Sequence, residues 1–310
     1  MMMVTPELQT HELPDGREVQ YAIFEPEVID NSGDQAPNLL YFLSHAYSLS
    51  DIQNFRARST RNMINPSSRM IVLPNRAIGE KAYQLGFKEL VEVRRGNLSP
   101  IAERDVSLIR SLESSAAGFM VIGSSFGAAR GVAMAKQLET SENIVGGVVL
   151  GAPNMVPHAD RGMIGLRAVF ASQAKHIKPF ALDIDTPQEI LLKEGLGDGV
   201  GQAIKLARNL GLYTLGGNII PTNASINSFF LKNSFFADLQ EVARKHPDSK
   251  FVTGTADSDP VCPRDRYEAF GRSADLADNI AVEYYPGNHM THTDPGLIAQ
   301  LAKKHITLAR

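Results

Sequence analysis

"FMVIGSSFGAARGV" (residues 119–132) runs from an apolar segment through a glycine-flanked serine into an alanine-rich segment. Phe119 to Ile122 is short and continuously apolar, which predicts a buried strand, and "AARGVAMAKQLET" (128–140) predicts a helix. Between them Gly123-Ser124-Ser125-Phe126-Gly127 reads G-x-S-x-G, a turn too tight for side chains beside the central serine, whose own backbone is strained. A helix starting there aims its first amides and the positive end of its dipole at the hydroxyl. Ser125 is therefore the candidate nucleophile, and Ser124 a plain turn residue. The competing reading is a Gly/Ser turn that holds a phosphate. A pentapeptide is too short a signal to decide between them, so the rest of the chain must.

Outward from this turn the pattern is regular. "REVQYAIFEPEV" (17–28), "NLLYFLSHA" (38–46), "RMIVLPN" (69–75) and "NIVGGVVLGAP" (143–153) read as strands, while "PIAERDVSLIRSLESS" (100–115) has apolar residues at helical spacing. Later come helix "FFADLQEVARKH" (235–246), strand "KFVTGTAD" (250–257), helix "RDRYEAFGRSADLA" (264–277), strand "NIAVEYYPG" (279–287) and helix "PGLIAQLAKKHITLA" (295–309). Strands alternating with helices predict an α/β fold with a mostly parallel central sheet flanked by helices.

The alternation breaks after Pro153. "MIGLRAVFASQAKHI" (163–177), "TPQEILLKEG" (186–195) and "GQAIKLARNLGL" (201–212) are helix-like, and the Gly-rich joint "GLGDGVG" (195–201) suits motion. The expected organisation is a sheet domain from residues 1–154 and 231–310, with a helical cap inserted at 155–230. Met155, Met163, Ile164, Leu166, Phe170, Leu191 and Leu192 could line an apolar pocket there, although such a stripe usually packs as core. The four phenylalanines of "SFFLKNSFF" (228–236) are expected to pack against the sheet.

Composition narrows the function classes. The 310 residues are 43% hydrophobic and 21% charged, with a formal net charge of −3. That balance offers no electrostatic reason to expect nucleic acid or an anionic membrane as partner. No run approaches the roughly 18 apolar residues of a membrane span, and the opening "MMMVTPELQTHELPDG" lacks the pattern of a secretory signal. A soluble, cytoplasmic protein is expected. The single cysteine, Cys262, excludes an internal disulfide and C-x-x-C metal knuckles, and reads as a small buried or loop residue. No G-x-G-x-x-G or Walker lysine follows an early strand, which weighs against nucleotide binding.

A serine nucleophile needs a base, and the base an orienting carboxylate, both at the carboxyl ends of later strands. "KFVTGTADSDPVCP" offers Asp257 and Asp259, and "IAVEYYPGNHMTH" offers His289. In this order of nucleophile, acid and histidine, and in the "PDGREVQYAIFEP" and "LLYFLSHAY" segments, the chain resembles the α/β-hydrolase fold superfamily. The resemblance implies Ser125 as nucleophile and His289 as general base. For the acid it favours Asp257, which keeps a G-x-x-D spacing from Gly254, over Asp259, which keeps a D-P-x-x-P pattern. His289 leads His292, which reads as a surface loop residue; a metal site of His292 and Asp294 would lack a third ligand at suitable spacing. The oxyanion donors implied are the backbone amides of Phe126 and of Tyr47, the latter in His45-Ala46-Tyr47, where the superfamily commonly has glycine in place of alanine. His45 reads as a structural hydrogen-bonding residue.

A serine nucleophile implies acyl chemistry rather than haloalkane or epoxide hydrolysis. The expected activity is hydrolysis of a carboxylic ester or related acyl bond in a small, moderately lipophilic substrate, with no cofactor and no metal. The alternatives are a peptidase, thioesterase or C–C bond hydrolase on the same triad, or a silent member that binds a small molecule.

Overall fold

The structure, a computed structural model, describes residues 7–13, 16, 18–27, 36–43, 51–73, 86–112, 118–140, 142–153, 234–259, 261–287 and 289–306. The expected cap at 155–230 lies outside them, as do His45, Tyr47, Phe229 and Phe230.

Eight strands form one sheet: β1 (Glu7–Glu12), β2 (Glu18–Phe24), β3 (Asn38–Phe42), β4 (Met70–Leu73), β5 (Phe119–Ser124), β6 (Ile144–Leu150), β7 (Lys250–Ala256) and β8 (Ile280–Tyr285). Their spatial order is β1-β2-β4-β3-β5-β6-β7-β8. β1 pairs antiparallel with β2, and β2 antiparallel with β4; every other pairing is parallel. Each residue of β3, β4 and β5 is buried, which is why Leu39–Phe42, Met70–Leu73 and Phe119–Ile122 are continuously apolar and show no alternation.

Seven helices are described: α1 (Asp51–Ile64), α2 (Phe87–Arg94), α3 (Ser99–Ser111), α4 (Phe126–Gln137), α5 (Phe235–Lys245), α6 (Arg264–Gly271) and α7 (Pro295–His305). One apolar cluster joins Leu40, Phe42 and Val121 to Ile101, Leu108, Val132, Leu239 and Val242 of α3, α4 and α5. The other joins Leu39, Tyr41, Ile122 and Val148 to Ala57 and Ile64 of α1 and Ile298 and Leu301 of α7. Alternate residues of a strand point to opposite faces, so the sheet carries helices on both. Phe235 is buried, and Phe236 stacks on Phe270 at 4.4 Å between ring centroids. Among the described residues no helix is long and apolar enough to cross a membrane.

One ionic contact fixes the helix that follows Ser125. The Arg130 guanidinium on α4 donates two hydrogen bonds of 2.6 Å to the Asp105 carboxylate on α3, and both side chains are buried. The same guanidinium lies 5.5 Å from the centre of the Phe42 ring. Two parallel N–H···O bonds give the pair a fixed geometry, so it holds α4 in register against α3.

Candidate active site

The turn after β5 has the shape its glycines imply. Ser125 sits at φ 55°, ψ −129°, the only non-glycine residue with positive φ among those described. L-residues avoid that region, and surrounding structure must hold it there. The Ser125 amide donates to the Leu150 carbonyl at 2.8 Å, which ties the corner to the end of β6. A Cβ on Gly123 would lie 2.6 Å from the Gly127 carbonyl oxygen, and one on Gly127 would meet the carbonyls of Phe42 and Leu43. Both glycines are required by close approach of backbone. Phe126 is the first residue of α4, so its amide belongs to the helix terminus beside the serine hydroxyl.

The loops after β7 and β8 meet the corner from the other side. They are bound to each other: the Asp257 amide donates to Tyr285 O at 2.9 Å, and the Ser258 amide to Gly287 O at 3.0 Å. This brings Asp259 against His289, the first residue of a 3₁₀ turn (His289–Thr293). His289 Nε2 lies 2.9 Å from Ser125 Oγ, and its Nδ1 lies 2.8 Å from Asp259 Oδ2. A carboxylate only accepts, so Nδ1 donates to Asp259, and in the neutral ring Nε2 is then the acceptor for the serine O–H.

Asp257, which spacing favoured for this position, is instead turned outward and paired with Arg264 on α6; its side chain is 44% exposed. β7 ends at Ala256, and the chain turns through Asp257 and Ser258 before re-entering with Asp259. The Asp259 side chain is fully buried, and its Oδ1 accepts from the amides of Val261 (2.8 Å) and Cys262 (3.1 Å).

His292 is also placed differently from its sequence reading. It is completely buried, not a surface loop residue. Its Nε2 bonds Asp259 Oδ2, and its Nδ1 lies 2.6 Å from the Tyr285 hydroxyl. The carboxylate assigns the proton to Nε2, leaving Nδ1 to accept from Tyr285. The result is a continuous chain, Ser125–His289–Asp259–His292–Tyr285. Asp294 takes no part in it: its Oδ1 accepts from the Leu297 amide at 3.0 Å and caps α7. No sequence signal for the His292 contact existed beyond its spacing of three from His289.

Burial alone would raise the Asp259 carboxyl, but the His289 and His292 imidazoles that face it outweigh burial and hold the group well below the usual carboxylate range. Burial keeps His292 below the ordinary histidine value, against the opposing bond to Asp259. Burial, and then the Asp259 charge, push the Cys262 thiol up. Cys262 Sγ donates to Gly151 O at 2.8 Å and lies 3.8 Å from His289 Nδ1. Gly151, at φ 57°, leaves the space that the His292 ring occupies; a Cβ there would run into the imidazole. The arrangement sets one imidazole nitrogen against the serine hydroxyl and a buried carboxylate against the other, the geometry in which a serine proton could be transferred.

No protein-family model matches this chain, and no curated protein matches it in sequence. Solved structures do. A serine hydrolase involved in carbazole degradation is similar at TM-score 0.61 and 13% identity, over 97% of this chain and 98% of that one. An α/β-hydrolase enzyme from a Medee basin deep-sea metagenome library reaches TM-score 0.62 at 12% identity, with 96% of each chain covered. The chain has the α/β-hydrolase fold. A thioesterase domain from the curacin biosynthetic pathway shares this α/β-hydrolase architecture at TM-score 0.58 and 12% identity, over 97% of this chain and 99% of the other. At such identities the likeness is one of α/β-hydrolase fold, and chemistry rests on the residues themselves.

Proposed function

We propose that the protein is a serine hydrolase that cleaves a carboxylic ester or related acyl bond. The observation that carries this reading is the 2.9 Å contact between Ser125 Oγ and His289 Nε2, made by a serine at φ 55°. In the proposed mechanism Ser125 Oγ attacks the substrate carbonyl as His289 Nε2 takes its proton. The tetrahedral oxyanion faces the Phe126 amide at the start of α4, with the Tyr47 amide as the second donor. Collapse expels the leaving group, which receives the proton from His289 and leaves an acyl-enzyme. A water molecule, deprotonated by the same nitrogen, then releases the acid. Asp259 keeps the proton of His289 on Nδ1 and stabilises the imidazolium that forms. His292 and Tyr285 act one step further out, as positioning residues that hold Asp259 Oδ2 and the ring beside it. Residues 155–230 are proposed as the cap that shapes the acyl pocket.

The test is covalent labelling by a fluorophosphonate. Labelling of the wild type that is absent in Ser125→Ala and strongly reduced in His289→Ala supports the reading; a folded wild type that takes no label overturns it. Turnover of p-nitrophenyl esters of graded acyl length, beside matched thioesters, then assigns the bond.

A further inference from the structure

Two short spacings converge beneath the serine: Asp259-x-x-Cys262 after β7 and His289-x-x-His292 after β8. In a 3₁₀ turn residues three apart eclipse, so His289 and His292 stand on one side of theirs. Asp259 Oδ1 caps the amides of Val261 and Cys262, which leaves Oδ2 to the two imidazoles, and Cys262 Sγ lies 3.8 Å from His289 Nδ1. Asp259, Cys262, His289 and His292 each turn one ligand atom inward, and these four atoms all lie within 4.8 Å of one another. Zinc bonds of about 2.0–2.3 Å set tetrahedral ligand separations near 3.3–3.8 Å, so movements of about 1 Å would close the set. One thiol, two imidazoles and one carboxylate suit zinc and its borderline-soft relatives and disfavour magnesium or calcium. The outer contacts are those such a site needs: backbone amides on Oδ1, the Tyr285 hydroxyl on the far nitrogen of His292, and Ser125 Oγ on the far nitrogen of His289.

We propose that these four residues form a zinc site whose occupation reversibly shuts off the serine. The ion takes the lone pair on Nδ1 of His289, so that ring's proton resides on Nε2, which now donates to Ser125 Oγ instead of accepting from it. His292 binds through Nε2 and carries its proton on Nδ1, toward Tyr285. The Cys262 thiol releases one proton to water, the only proton lost, and nothing is oxidised or reduced. Asp259 and the thiolate together balance the two charges of the ion. The shut-off rests on the proposed hydrolase reading; metal capture does not.

The experiment uses the full chain, stripped by chelator and titrated with cobalt(II) as a spectroscopic stand-in, then with zinc. Expected is one cobalt per chain with a thiolate-to-cobalt charge-transfer band, displaced by zinc and missing in Cys262→Ser. Zinc should abolish fluorophosphonate labelling and ester turnover, and chelator should restore both. Cys262→Ser, measured against its own zinc-free turnover, should need at least about 10-fold more zinc than the wild type for half-inhibition. Absence of the band in wild type overturns the site whether or not the protein hydrolyses anything. Equal zinc sensitivity in wild type and Cys262→Ser overturns the shut-off, and so does zinc binding that leaves labelling intact. Should Cys262→Ser fail to fold, Cys262→Ala serves the same comparison.

Discussion

Arg130 and Asp105 meet through two hydrogen bonds of 2.6 Å in a place where both side chains are buried. Removing one partner strands a charge in the core, so Asp105→Ala or Arg130→Met should each cost about 3–5 kcal/mol. The double variant Arg130→Met with Asp105→Leu should recover most of that loss. Urea denaturation checks both, and single variants as stable as the wild type would refute the assignment.

The two aspartates of the β7 loop separate cleanly by charge-neutral substitution. Asp259→Asn can no longer hold the His289 proton on Nδ1 and should lower kcat on the order of 10⁴-fold. Asp257→Asn only weakens an exposed ion pair with Arg264, so activity should stay within about twofold. Turnover of a p-nitrophenyl ester by the two variants is the measurement; a larger loss in Asp257→Asn would reverse the roles.

Gly151→Ala meets two obstacles at once, positive φ and the His292 ring. Backbone strain alone costs about 1–3 kcal/mol, and the displaced imidazole adds to it. The variant should show a lower urea midpoint and a lower kcat together, while Gly16→Ala, at φ 77° with open space beside it, should lose stability only.

For His292 the informative pair is Gln and Phe. Gln keeps an N–H for Asp259 Oδ2, whereas Phe leaves that oxygen with one side-chain donor. We expect kcat to fall in His292→Phe by at least about 10-fold with KM little changed, and Gln to rescue part of it. A role in packing alone would be served equally well by Phe.

His246 supplies a pH dependence of stability away from the site. Burial, and then the Lys245 charge, lower its folded pKa, and its Nε2 has no hydrogen-bond partner among the described residues. The unfolded chain therefore binds the proton that the folded chain refuses. The stabilisation is complete above the unfolded value of about 6.5 and is lost as pH falls toward the lower folded value. Between pH 7 and 5 the urea midpoint should drop more steeply in the wild type than in His246→Gln.

Much of the molecule could be read from its letters, for reasons that vary by element. The central strands announced themselves because burial on both faces forces continuous apolar runs such as Leu39–Phe42 and Met70–Leu73. α1 gave no such signal. Its inward positions, Ala57, Thr60, Arg61 and Ile64, follow helical spacing, yet two are polar, and Arg61 is buried by pairing with Glu27 at 2.8 Å. A search for apolar periodicity passes over such a helix. Ser125 and His289 stood out because a glycine-flanked turn and a strand-end histidine are local features. The choice between Asp257 and Asp259 is not local: it depends on which way a two-residue turn faces after Ala256, and that is set by bonds to the β8 loop. His292 was hidden for the same reason, since its partners Asp259 and Gly151 are remote in sequence.

Ser125 and His289, which touch at 2.9 Å, are 164 residues apart along the chain. At synthesis rates of roughly 5–20 residues per second, about 8–33 s pass between the making of the hydroxyl and the making of its imidazole. Through that interval the growing chain carries Ser125 without the imidazole that faces it in the fold. On the proposed reading the serine gains its base late in synthesis, with the closing of a contact that spans more than half the sequence.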